Sequence, residues 1–73
     1  RRTNNMTFVI EIHKEVGTNS FNTMLVNVTE KEEDALLLTH ELERAFDTFS
    51  LRKKTTYRSD GEHKFICIEL RRG

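Results

Sequence analysis

The sequence predicts a single small α+β domain, residues 1–73, with the element order ββαββ. Three observations predict this fold. Two segments with alternating apolar residues come first, an apolar stripe of helical spacing follows, and an Asp-Gly pair then divides two further alternating segments. We therefore expect a four-stranded sheet with one helix on one face, flexible residues at 1–5 and a tail at 71–73.

Period-two alternation indicates the first two strands. Residues 7–14, TFVIEIHK, and residues 21–28, FNTMLVNV, both alternate and are rich in β-branched and aromatic side chains. Gly17 and Asn19 lie between them and favour a turn. Matching the apolar faces pairs Ile12 with Met24, Ile10 with Val26, and Phe8 with Val28.

A capping box begins the helix. In residues 29–32, TEKE, Thr29 is expected at the N-cap and Glu32 three positions later. The helix is predicted to continue to about Ser50. Its apolar stripe consists of Ala35, Leu38, Leu42, Ala45, Phe46 and Phe49.

The pair Asp60-Gly61 predicts the second hairpin, because glycine tolerates the positive φ of a two-residue turn. This turn pairs Ser59 with Glu62 and leaves Lys53 opposite Ile68, on the helix side. Tyr57 also falls on the helix side. The predicted core consists of Phe8, Ile10, Ile12, Met24, Val26, Val28, Leu38, Leu42, Phe46, Phe49, Ile66, Ile68 and Leu70.

The sequence predicts that the helix-free face of the sheet is the surface that contacts a partner. Solvated sheet faces are usually polar, and an apolar centre with a charged rim is typical of protein contacts, although small sheets also expose some apolar residues. We expect a non-catalytic protein-interaction module, in the simplest case self-associating into a homo-oligomer. The apolar contacts would be Val9, Leu25, Phe65 and Cys67, and the rim Arg52, Lys54 and Arg58.

A single-stranded nucleic-acid-binding module on the same face is the first alternative. Phe65 would stack on a base while the basic rim contacts phosphates. The net charge of +0, and Glu11 and Glu69 on the same face, weigh against this alternative.

The sequence carries little sign of catalysis. His13, His40 and His63 lie on different elements, and Cys67 is the only cysteine, so we expect no metal, no cofactor and no catalytic residue. No apolar run is long enough to span a membrane, so no membrane partner is expected. The lone cysteine and the absence of a visible secretory signal favour a cytoplasmic location.

The predicted topology of residues 6–70 is similar to the β-grasp architecture of ubiquitin-like and immunoglobulin-binding bacterial domains. The ending ELRRG, residues 69–73, resembles the tail of ubiquitin-type modifiers, although it has a single final glycine. This resemblance implies a further alternative function, that of a ubiquitin-like modifier.

Overall fold

The computed structural model describes residues 6–46 and 51–72, and it confirms the ββαββ order. The sheet order is β2-β1-β4-β3. The central strands β1 and β4 pair in parallel, and each edge strand pairs antiparallel with its neighbour. This is a mixed sheet with β-grasp-like topology. The elements are β1 Thr7–Glu15, β2 Phe21–Thr29, α1 Glu32–Phe46, β3 Leu51–Ser59 and β4 His63–Arg72.

Isoleucine side chains fill the centre of the sheet beneath α1. Ile10 pairs with Ile66, and Ile12 pairs with Ile68 on the adjoining parallel strand. Ile10 and Ile68 are 0% exposed, and Ile66 is 1% exposed. Strand side chains alternate, so these even-numbered residues fix the phase of both central strands. The predicted burial is confirmed for Phe8, Ile10, Ile12, Ile66, Ile68 and Leu70.

The buried face of α1 contains a polar residue that the sequence pattern did not reveal. Thr39 is 2% exposed, and its hydroxyl donates a 2.8 Å hydrogen bond to the carbonyl oxygen of Ala35 one turn earlier. Ala45, which was predicted in the apolar stripe, is exposed. The predicted packing of Leu38, Leu42 and Phe46 against the core is confirmed, and all three are partly buried.

The start of α1 differs from the predicted capping box. The helix begins at Glu32, and the N–H of Ala35 donates to the carbonyl oxygen of Lys31 at 3.1 Å. The hydroxyl of Thr29 accepts the N–H of Lys31 at 3.1 Å. The prediction of Thr29 as the N-cap was therefore wrong, because Thr29 closes a short turn ahead of the helix. The predicted end near Ser50, with Phe49, lies outside the described residues.

A β-bulge interrupts the pairing of β1 with β2. Met24 lies opposite Ile12 as predicted, but the register shifts between Ile10 and Glu11. Ile10 lies opposite Asn27, which leaves Val26 as the extra residue of β2. Val26 still packs against the core on the helix side.

The bulge moves Val28 to the other face of the sheet. Val28 pairs with Val9 and is 51% exposed, so its predicted place in the core was wrong. The predicted burial of Met24 was also wrong. Met24 keeps its predicted pairing, but it is 62% exposed because β2 is an edge strand at the margin of the core.

Asp60 organises the turn between β3 and β4. Its carboxylate accepts the N–H of His63 at 2.8 Å and the N–H of Glu62 at 3.2 Å, and the N–H of Asp60 donates to the carbonyl oxygen of His63 at 3.0 Å. Gly61 follows with φ +96°, a conformation that a side chain would strain. The loop residues are therefore Gly61 and Glu62.

This turn places each β4 partner two residues further along than predicted. Ser59 pairs with Lys64, and Lys53 pairs with Leu70 in place of Ile68. A shift of two positions keeps every side chain on its predicted face, because strand side chains alternate with a period of two.

The basic pair near the end of the chain belongs to β4. Arg71 and Arg72, which were expected in a tail, continue this strand. The N–H of Arg72 donates to the carboxylate of Glu15 at 3.0 Å, and its guanidinium donates to the carbonyl oxygen of Gly17 at 3.3 Å. The expectations for residues 1–5 and 73 lie outside the described residues.

We expect Ile66→Ala to lower the free energy of unfolding by about 2–5 kcal/mol, because it leaves a cavity in the centre of the core. Met24→Ala is the matched control and should change this free energy by less than about 0.5 kcal/mol, because Met24 is largely exposed. Urea denaturation followed by circular dichroism measures both values. Equal losses from the two variants would contradict the burial described above.

We expect the Asp60 turn to weaken in acid. The two backbone hydrogen bonds from His63 and Glu62 help to hold the pKa of Asp60 below its ordinary value of 3.8. Because the pKa is lowered in the folded state, its stabilising effect is present above pH 3.8 and is lost as the pH falls through the folded pKa. Asp60→Asn retains an acceptor oxygen without the charge. The melting temperature of the wild type should therefore exceed that of Asp60→Asn near neutral pH, and this excess should shrink in acid.

Candidate interaction surface

An apolar strip crosses three strands on the helix-free face. Val28 pairs with Val9 across β2 and β1, and Val9 pairs with Phe65 across β1 and β4. Leu25 points to the same face, because it pairs with Glu11 on the far side of the bulge. Leu25 is 60% exposed and Val28 51% exposed. We call Val9, Leu25, Val28 and Phe65 the apolar strip.

The Phe65 ring is covered by basic and aromatic neighbours. The guanidinium carbon of Arg58, which lies opposite Phe65 on β3, is 4.2 Å from the ring centroid. The ring of His63 lies 5.9 Å from the same centroid. A nucleic-acid base could reach the covered side of Phe65 only by displacing Arg58 from its cation–π contact.

Cys67 lies beside the apolar strip among acidic neighbours. It pairs with Glu11 on β1 and with Thr56 on β3, at a shallow groove of ≈ 290 Å³. Burial, together with the negative charges of Glu11 and Glu69, raises the pKa of the thiol above its ordinary value of 9.0. The thiol is therefore protonated at neutral pH and is a poor nucleophile.

Charges of both signs alternate across the rest of the face. Glu69 lies between His13 on β1 and Lys54 on β3. The Glu69 carboxylate is 3.3 Å from Nε of Arg71, and that of Glu11 is 3.7 Å from Nε2 of His13. Glu11 and Glu69 therefore interrupt the positive charge on this face, which weakens its attraction for a phosphate backbone.

The predicted site residues share this face, but they divide into two groups. Arg58 borders the apolar strip directly, whereas Arg52 and Lys54 lie opposite Arg71 and Glu69 in the charged part. The four apolar predictions, Val9, Leu25, Phe65 and Cys67, lie on three neighbouring strands.

Val28 and Phe21 also lie on this face, although they were not predicted there. Nothing in the sequence marks the bulge that brings Val28 to this face. Phe21 could have been found, because it precedes Leu25 by four positions in the same alternating strand. The guanidinium carbon of Arg71 lies 5.1 Å from the Phe21 ring centroid.

Tyr57 lies on the opposite side of the sheet, as predicted. It pairs with Ile66 and is 55% exposed, with Nζ of Lys64 at 5.7 Å from its ring centroid. Tyr57 and Phe65 therefore cannot form one stacking platform for neighbouring bases.

The described residues contain neither a metal-binding cluster nor a membrane-spanning helix. Within residues 6–46 and 51–72, no three His, Cys, Asp or Glu side chains are grouped to hold a metal ion. In the same residues, no helix has the length and apolar character needed to cross a membrane.

Comparison with known proteins finds no matching protein family, no similar curated protein and no similar solved structure.

We expect the Cys67 thiol of the folded chain to react with iodoacetamide at pH 8 about tenfold more slowly than that of the urea-unfolded chain. The raised pKa reduces the thiolate fraction, and partial burial limits access. Glu11→Gln removes one of the charges that raise this pKa and should increase the folded rate. Equal rates for the folded and unfolded chains would contradict the acidic surroundings described here.

Proposed function

We propose that this chain is a non-catalytic protein-interaction module whose contact surface is the apolar strip on the helix-free face. The observation that carries the proposal is the contiguity of the strip. Val28, Val9 and Phe65 lie side by side across three strands, and Leu25 and Cys67 adjoin them. Adjacent exposed apolar side chains with a polar border are typical of protein contacts.

A second copy of the chain is the simplest partner for this surface. The net charge of +0 means that two copies do not repel each other as whole molecules. Identical apolar strips are also complementary to each other in a two-fold arrangement. The single free cysteine, Cys67, is compatible with a reducing compartment such as the cytoplasm.

The nucleic-acid alternative has less support from the same geometry. Arg58 covers Phe65, and Tyr57 faces the other side of the sheet. The modifier alternative requires a free C-terminal tail, whereas Arg71 and Arg72 belong to β4. A protein contact can use the exposed side chains of Leu25 and Val28, which the contact between Arg58 and Phe65 leaves uncovered.

We expect the wild type to show a mass above that of the monomer in light scattering, increasing with protein concentration. Phe65→Glu should shift the mass toward that of the monomer, because it places a carboxylate within the apolar strip. Val28→Glu introduces the same carboxylate at a more exposed position of the strip. It therefore tests the contact even if Phe65→Glu does not fold.

Tyr57→Glu is the matched control, because it replaces an exposed aromatic residue on the opposite face. Its mass should follow that of the wild type. Equal masses for the wild type, Phe65→Glu and Val28→Glu at every concentration would contradict self-association through the strip.

Salt-dependent binding of a single-stranded oligonucleotide that is lost in Phe65→Glu would favour the nucleic-acid alternative instead.

A further inference from the structure

The two edges of the sheet differ sharply in charge. An unpaired edge strand invites another strand, and charged side chains are a common protection against this. The β3 edge carries Arg52, Lys53, Lys54 and Arg58. In contrast, no charged residue occurs between Glu15 and Glu30, although 33% of the chain is charged. The β2 edge therefore lacks the protection that the β3 edge has.

The backbone bonds of the first hairpin show which groups β2 presents outward. The N–H of Val16 donates to the carbonyl oxygen of Ser20 at 2.8 Å. The next pair, Glu15 with Phe21, is therefore a non-hydrogen-bonded pair, because the two kinds of pair alternate in antiparallel strands. The same alternation turns the N–H and C=O groups of Thr23 and Leu25 away from β1.

An independent bond on the other side of β1 agrees with this assignment. The N–H of Thr7 donates to the carbonyl oxygen of Glu62 at 2.9 Å, so the odd-numbered residues of β1 turn toward β4. The even-numbered residues then turn toward β2, which pairs Lys14 with Asn22 and Ile12 with Met24. The segment Phe21–Leu25, which ends at the bulge, is the regular part of the free edge.

We propose that a second copy of the chain pairs with this segment, β2 against β2 in antiparallel orientation, with a two-fold axis at Thr23. This register places Thr23 opposite Thr23, and Phe21 opposite Leu25 of the second copy. All three residues present their backbone groups outward, so about six hydrogen bonds join the two strands. The product is one continuous sheet made from two four-stranded sheets.

The side chains of the segment complement each other in the same register. Phe21, 36% exposed, meets Leu25, 60% exposed, on the helix-free face. Asn22 meets Met24 on the helix side, and no charged group lies in either strand. Paired threonines and aromatic–aliphatic pairs both stabilise neighbouring antiparallel strands.

This edge contact shares only Leu25 with the apolar strip, and Val9, Val28 and Phe65 take no part in it. The two-fold axis lies perpendicular to the sheet, so both helices fall on one side and both apolar strips on the other. Edge pairing therefore leaves Phe65 accessible, and it brings the two strips onto one wider face.

Proline variants test the edge directly. Thr23→Pro removes an outward N–H that β1 does not use, and prolines are tolerated at such positions of edge strands. In a Phe65→Glu background, which removes association through the apolar strip, sedimentation equilibrium over a wide concentration range should show dimers that Thr23→Pro dissociates to monomers. The matched control is Ser59→Pro on the β3 edge. The N–H of Ser59 also points outward, because the neighbouring residue Asp60 donates its N–H across the hairpin to His63. Ser59→Pro should dimerise like the wild type.

A disulfide cross-link tests the register. Thr23→Cys in a Cys67→Ser background places two cysteines opposite each other at the axis, with Cα atoms about 5.5 Å apart, within reach of a disulfide. Mild oxidation should give a covalent dimer well below the concentration at which Ser59→Cys in the same background does so. Amide exchange at Thr23 and Leu25 should also slow by about tenfold when the concentration favours dimers.

A wild type that stays monomeric at every concentration would overturn this inference. A Phe65→Glu dimer that survives Thr23→Pro, with circular dichroism showing an intact fold, would overturn it too. If Phe65→Glu alone abolishes all association, the contact is through the apolar strip and the edge inference fails. If Thr23→Pro dissociates the dimer and Phe65→Glu does not, the edge inference stands and self-association through the strip fails.

Discussion

Parallel pairing of β1 with β4 beneath α1 is the constraint on which the rest of the structure depends. Ile10, Ile66 and Ile68 are removed from water almost completely, and their burial fixes which side of each central strand faces the helix. Because side chains alternate, the neighbouring odd-numbered residues, among them Val9 and Phe65, must point to the other face. A shift of one residue in either strand would expose the isoleucines, so the core and the opposite surface are determined together.

Much of this arrangement could be predicted from the sequence, because it depends on periodicity. The predicted faces of the β3 and β4 side chains were correct, although the predicted pairing of the two strands was displaced by two residues. A displacement of two preserves the face, because strand side chains alternate. The bulge at Val26 was not predictable, because no glycine or other local signal marks it and it arises from the fit of β2 against β1. This single feature moved Val28 from the predicted core to the candidate surface. The buried position of Thr39 was hidden for another reason, since its hydroxyl is satisfied by the helix backbone and behaves as an apolar group there.

The two surfaces of functional interest meet at β2. The apolar strip reaches this strand at Leu25 and Val28, and the uncharged free edge runs along the same strand up to the bulge. The bulge gives β2 two distinct parts, a regular segment suited to strand pairing and a segment that carries Val28 to the helix-free face. The opposite edge strand, β3, has basic side chains that discourage such contacts. Among the described residues, the sheet is thus asymmetric, with more exposed apolar side chains on β2 than on β3.

The central place of β4 also bears on how the chain acquires its structure. The strand most distant from β1 along the sequence is its partner in the middle of the sheet, so the first hairpin and the helix have no complete core to pack on until β4 arrives. Closing this long loop is entropically costly and slows folding relative to helical bundles of similar size. During synthesis on the ribosome, the core face of the first hairpin would remain exposed until β4 emerges, and apolar surface exposed in this way is prone to aggregation.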